Sequence, residues 1–126
     1  MTVEENISYV PSLLHGNDKN RTNMAVYKWL KIVGLDESLL EHYPDEISGG
    51  QQQRVGIARA LAASPDILLM DEPFSAVDEI TRKNLQNEII RIQRETGITI
   101  LFVTHDVEEA IRLGTKVLIL NEGTIE

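Results

Sequence analysis

The chain has 126 residues, about one domain's length, and its 42% hydrophobic content allows a core of moderate size. With 20 acidic against 12 basic residues the net charge is −8, which argues against a bulk electrostatic grip on nucleic acid or an anionic membrane surface. There is no cysteine, so disulfides and thiolate metal sites are excluded.

In chain order, Met1 to Val10 ("MTVEENISYV") lacks the basic start and apolar stretch of a signal peptide. No later apolar run approaches the ~20 residues that cross a bilayer. A soluble intracellular chain is therefore the expectation. Residues 1–21 are polar and mixed, and "HGNDKNR", His15 to Arg21, reads as a loop. "TNMAVYKWLKIVGL" sets Met24, Tyr27, Leu30 and Ile32 near helical spacing, with Gly34 as its stop. Asp36 caps a short helix, "ESLLEHY", which Pro44 ends. Val55, Ala58, Leu61 and Ala62 fall on one face, so Gln52 to Ala63 is predicted helical, and Pro65 prevents its extension.

The pattern then changes. "ILLMD", Ile67 to Asp71, is too short for a helix and predicts a strand buried on both faces. "ITILFV" repeats that pattern, with its strand at Thr99 to Val103, and "KVLIL", Lys116 to Leu120, gives a third case. Glu79 to Glu95 carries a helical stripe of Leu85, Ile89 and Ile92, and a shorter helix lies around Val107 to Arg112. Strand alternating with helix predicts an α/β fold with parallel strands. "NEGTIE" closes the chain on a turn and one more strand.

Three segments carry chemistry. Ser48-Gly49-Gly50-Gln51 opens a predicted helix, where unpaired N–H groups and a partial positive charge suit an anion. Glycine lets a phosphate reach the backbone with no Cβ in the way. The same residues also read as an ordinary capped helix after a Gly-Gly turn. Dipole and cap each contribute only ~1 kcal/mol, so tight phosphate binding needs further partners. Next, Asp71-Glu72-Pro73 puts two carboxylates at a strand's C-terminal end, where open α/β sheets bind ligands. Asp71 suits magnesium, which takes one or two carboxylates plus phosphates and waters. Glu72 suits orienting or deprotonating a water, a role worth ~10²–10⁴ in rate. Two solvated acids in a loop remain the plain alternative. Thr104-His105-Asp106 follows the second strand and lies on the same sheet edge. Ser75-Ala76-Val77-Asp78 by itself is a loop with a helix cap at Asp78.

In this order the segments resemble the nucleotide-binding subunits of ATP-binding cassette transporters. "ISGGQ" is similar to their signature motif, with Ile47 where leucine is usual. "ILLMDEP" resembles their Walker B segment and catalytic glutamate, "SAVD" their D-loop with Val77 for leucine, and His105 their switch histidine. "MTVEENI" and the run from Tyr43 to Gln86 look most like importers of glycine betaine, carnitine and choline; amino-acid importers share much of this. The implied fold is a partial P-loop NTPase, a RecA-like α/β core with parallel strands plus the helical subdomain of the family, its P-loop strand missing. Residues 1–64 correspond to the helical subdomain ending in the signature motif and its helix, and residues 65–126 to the C-terminal half of the catalytic core.

The resemblance also implies roles. Two subunits pair head to tail around two ATP molecules, with magnesium. Ser48, Gly49 and Gly50 would hold the γ-phosphate bound on the opposite subunit, with Gln51 near it. Asp71 would support magnesium, Glu72 would polarise the attacking water, and His105 would contact the γ-phosphate. Ser75 and Asp78 would lie at the dimer interface. The partners implied are a membrane permease subunit and a second ATP-binding subunit, with no nucleic acid. The location implied is cytoplasmic, peripheral to the inner membrane face. The family's phosphate cradle, G-x-x-x-x-G-K-S/T, does not occur, and no Gly-Lys pair exists in the 126 residues. We therefore expect no ATP hydrolysis by this chain alone. In the family the cradle's strand lies between those at Thr99–Val103 and Lys116–Leu120. Without it the expectation is an association-prone chain of marginal stability, or a displaced third strand.

Overall fold

A computed structural model describes residues 1–126. Helices come first: α1 (Val3–His15), α2 (Lys19–Ile32) and α3 (Gly49–Ala62), with 3₁₀ turns at Glu37–Leu39 and Pro44–Glu46 between the last two. Then β1 (Ile67–Asp71), α4 (Glu79–Thr96), β2 (Thr99–Val103) and α5 (Val107–Leu113) alternate, before a hairpin of β3 (Leu120–Asn121) and β4 (Thr124–Ile125). No helix is long and apolar enough to cross a membrane.

The polar, mixed stretch at the start of the chain forms helix α1, and the loop expected at His15 to Arg21 shrinks to a short turn because α2 already begins at Lys19. Thr2 and Glu5 form a reciprocal capping box, in which the Glu5 N–H donates to Thr2 Oγ1 at 3.2 Å and the Thr2 N–H to Glu5 Oε2 at 2.7 Å. Val3, Ile7 and Pro11 then face inward, four residues apart, against α2 and α3. Helix α2 keeps only part of the expected face, with Leu30 buried and Ile32 packed against the core. It buries Thr22, Val26, Trp29 and Leu30 and leaves Met24 and Tyr27 in solvent. The bulkier Trp29 and the neighbouring Val33 pull the inward stripe round by about one residue step. Gly34 ends α2 as expected, at φ +72°, with its N–H donating to Lys31 O at 3.0 Å. Asp36 caps a single 3₁₀ turn rather than a helix running to Pro44.

In α3 the predicted face is the buried one: Val55, Ala58, Leu61 and Ala62, joined by Ile57. Leu85, Ile89 and Ile92 of α4 likewise enter the core, which runs without a break from Val3 to Ile98. Strands β1 and β2 pair in parallel, Ile67 opposite Thr99 through Asp71 opposite Val103.

Two expectations for the strands fail. β1 is buried on one face only: Leu68 is 5% exposed but Leu69 is 71% exposed. Ile67, Leu101 and Val103 are bare like Leu69, because no layer covers that side of the sheet. Lys116 to Leu120 is not a third strand of this sheet, which holds β1 and β2 alone. A strand exists through its ladder, and with no neighbour beside β2 these residues have none to join. Only their last two residues find partners, in the local hairpin, where Leu120 pairs with Ile125 and Ile119 O accepts from the Glu126 N–H at 2.8 Å; its turn residues Glu122 and Gly123 both take positive φ, 48° and 82°.

Candidate functional site

The parallel register sets Asp71 and Val103 side by side at the C-terminal ends of β1 and β2, so the chain leaves both strands at one edge. Glu72 follows Asp71 with φ +45°, a left-handed conformation that costs a non-glycine residue energy. Three bonds hold it there. Its N–H donates to Val103 O at 2.8 Å, and its carbonyl accepts from Ser75 N at 3.3 Å and from Gln53 Nε2 at 3.1 Å. The strain turns the carboxylate off the strand line toward His105, whose Nδ1 lies 2.8 Å from Glu72 Oε1. Residues 33 apart in sequence thus meet at the sheet edge.

Glu72 holds the His105 imidazole above its ordinary value of 6.5, first through the hydrogen bond and then through its charge. Because the shift is upward, whatever the pair adds to the fold is complete below pH 6.5 and fades as pH climbs past the raised value. An NMR titration of His105 is expected to show a midpoint above 6.5 that returns toward it in Glu72→Gln. An unshifted wild-type midpoint would contradict the pairing.

Asp71 is exposed at the end of β1, and no cluster of three His, Asp or Glu ligands exists anywhere in the chain. A single exposed carboxylate is what magnesium takes from a protein when phosphate oxygens and waters fill the rest of its shell, and Asp71 offers that much and no more.

At the tip of α3, Ser48 Oγ accepts from the Gln51 N–H at 3.1 Å, while the Gln51 Oε1 accepts from the Ser48 N–H at 2.9 Å. The cap leaves the Ser48 hydroxyl proton free to donate outward, and the Gly49 and Gly50 N–H groups have no acceptor within the protein. A Cβ on Gly49 would meet nothing within 4 Å, and one on Gly50 only ordinary contacts, the nearest Ala76 O at 3.6 Å. Neither glycine has a positive φ. Nothing inside the molecule asks for glycine at Gly49, as nothing does at Gly56 of the same helix, so the tip is open to an approach from outside.

Gln53, one helical step beyond, was not foreseen. Its amide clamps the strand-end turn at two points, with Nε2 donating to Glu72 O at 3.1 Å and Oε1 accepting from the Ala76 N–H at 3.0 Å. It ties the helix bearing the Ser-Gly-Gly tip to the turn bearing Glu72. Three successive glutamines gave no sign of which one reaches across. Gln53→Ala is expected to lower stability by ~1–2 kcal/mol, read as a shifted urea midpoint at constant slope.

Asp78 caps α4, accepting from the Thr81 N–H at 3.0 Å, and hydrogen bonding to Thr81, first to its side chain and then to its N–H, holds the Asp78 carboxyl below 3.8. Ser75 is exposed in the turn before it. The structure therefore brings Asp71, Glu72 and His105 to one edge and joins the α3 tip to it through Gln53; it places no distance on Ser75 or Asp78 toward a second subunit. A cavity of about 510 Å³ lies elsewhere, lined by residues such as Lys31, Arg54 and Glu88.

A parallel sheet edge with paired acids and a facing histidine, beside a bare helix tip, is the layout of a nucleotide-handling α/β protein. The chain belongs to the ABC transporter family, whose model matches residues 1–75. It is 50% identical to the carnitine transport ATP-binding protein OpuCA of Listeria monocytogenes serotype 1/2a (strain 10403S), over 99% of this chain and 31% of that protein. It is equally 50% identical to the glycine betaine/carnitine/choline transport ATP-binding protein OpuCA of Bacillus subtilis (strain 168), over 99% of this chain and 33% of that one. Among solved structures, the dimeric post-hydrolysis state of the ATP-binding cassette MJ0796 bound to ADP and Pi superposes with a TM-score of 0.87 at 35% identity, covering all of this chain and 55% of that one. The chain thus spans about a third of the length of these curated relatives.

Proposed function

We propose that the chain is part of an ATP-binding subunit that powers an ABC importer of quaternary-amine osmoprotectants. Its residues 1–64 serve as the helical subdomain and residues 65–126 as the later half of the catalytic core. The observation that carries the catalytic reading is the Glu72–His105 pair, 2.8 Å apart at the C-terminal edge of β1 and β2. The solute class rests on relatives named for carnitine, choline and glycine betaine transport.

In this reading Glu72 accepts a proton from, or orients, the water that attacks the terminal phosphate, and His105 donates to that phosphate. Asp71 holds magnesium, which when bound offsets phosphate charge. Ser48, Gly49 and Gly50 present three donors to the nucleotide of a facing subunit, with Gln51 beside them. Ser75 and Asp78 lie at that subunit interface. A permease subunit holds the assembly at the inner face of the cell membrane.

A second reading follows from the absence of any Gly-Lys pair in the 126 residues. Here the chain lends its α3 tip to a complete partner and turns over nothing itself. One experiment bears on both. A related importer cassette whose own signature serine is replaced by arginine is mixed with this chain, and ATP turnover is followed. Rescue that vanishes with Ser48→Arg supports donation of the tip in trans. Absence of rescue, or saturable micromolar ATP binding by this chain alone, overturns it.

A further inference from the structure

Glu109 is a buried acid that the chemistry above does not use. It is 9% exposed, on the first turn of α5, and its Oε1 has no hydrogen-bond partner. Leaving a buried carboxyl oxygen unpaired costs stability, so its retention calls for a return elsewhere. The other oxygen supplies one. Glu109 Oε2 accepts from Thr104 Oγ1 at 3.1 Å, and that hydroxyl in turn accepts from the Asp106 N–H at 3.0 Å. Asp106 Oδ1 closes the circuit by accepting from the Glu109 N–H at 3.2 Å. Three side chains thus form a ring of bonds around the backbone of His105, fixing the residues on both sides of it.

His105 needs such a support. Its side chain is 81% exposed, and an exposed ion pair contributes too little to hold a histidine in one pose. The imidazole meets Glu72 at 2.8 Å because its backbone is aimed there. We propose that Glu109 is a positioning residue, acting through Thr104 to set the turn from which His105 reaches Glu72. The inference rests on the reading of Glu72 and His105 as the catalytic pair for its meaning in turnover, but its geometry stands apart from any nucleotide.

The test is therefore made without ATP, on the full chain. Long-range ¹H–¹⁵N spectra of the three histidines report which ring nitrogen carries the proton, and the His105 signals are assigned by their loss in His105→Asn. In the wild type, Nδ1 of His105 is expected to carry the proton and donate to Glu72, since an ionised carboxylate can only accept. Thr104→Val, which removes the hydroxyl at nearly constant shape, is expected to reduce the Nδ1-protonated, Glu72-bonded population about fivefold, the equilibrium worth of one net hydrogen bond. Glu109→Leu is expected to do the same, while Thr104→Ser and Glu109→Gln, which keep a donor and an acceptor, restore the wild-type spectrum. Unchanged His15 and His42 signals certify the fold, and Thr104→Val carries the test if Glu109→Leu does not fold. A wild-type His105 spectrum in folded Thr104→Val overturns the proposal. Failure of ATP turnover or signature rescue would leave this result untouched, so the two ideas fail separately.

Discussion

Glu72→Gln, placed in an assembled subunit that grips ATP, is expected to slow hydrolysis by ~10²–10⁴ while leaving nucleotide binding intact. The amide matches the carboxylate in size and can still accept from His105, so the strained turn held by Val103 and Gln53 persists. What is lost is the proton acceptor. Single-turnover kinetics together with a binding titration separate the two effects. A variant that hydrolyses ATP within about tenfold of the wild type would remove Glu72 from that role. The 126-residue chain by itself is expected to show no magnesium-dependent turnover; turnover that Glu72→Gln abolishes in the isolated chain would contradict the reading in which it lends its α3 tip to a complete partner.

Leu61→Ala is expected to cost ~2–5 kcal/mol, the largest stability effect of any single truncation proposed for this chain. Leu61 is 1% exposed and faces inward from α3, the helix that packs on both α1 and α2. Removing its three outer carbons opens a void within the core on the inward face of α3. Against the ~5–15 kcal/mol of a typical domain, that loss approaches global unfolding. Leu61→Met, which keeps the volume, should stay within ~1.5 kcal/mol. Urea denaturation followed by circular dichroism distinguishes these outcomes, and a Leu61→Ala loss below ~1 kcal/mol would mean that the site collapses without a cavity.

Elements that carry their own period were legible in the sequence. The stripes of α3 and α4 recur every three or four residues and entered the core as read, and the short apolar runs at β1 and β2 paired in parallel. Helix α1 was not, because its inward positions are only Val3, Ile7 and Pro11, and a proline in a polar stretch argues for a loop. The Thr2-x-x-Glu5 box was the available signal. Lys116 to Leu120 has the composition of a strand, but pairing is a relation between two segments and composition describes one.

The candidate site divides the same way. Asp71, Glu72 and His105 were legible because both strands end at one edge, a matter of topology. The Gln53 clamp and the Thr104–Asp106–Glu109 ring were not, since they depend on which rotamer meets which backbone group.

The bare side of β1 and β2 has a further consequence for how the protein opens. Amides in α1 and α3 lie beneath packed layers at Ile7, Ala58 and Leu61, whereas the β1–β2 ladder has solvent directly against one side. Native-state hydrogen exchange should accordingly resolve two cooperative units, with the strand ladder losing its protons while the three-helix unit still retains them. The elements that carry the acids would then be the first to breathe, and the scaffold that presents the serine–glycine tip the last.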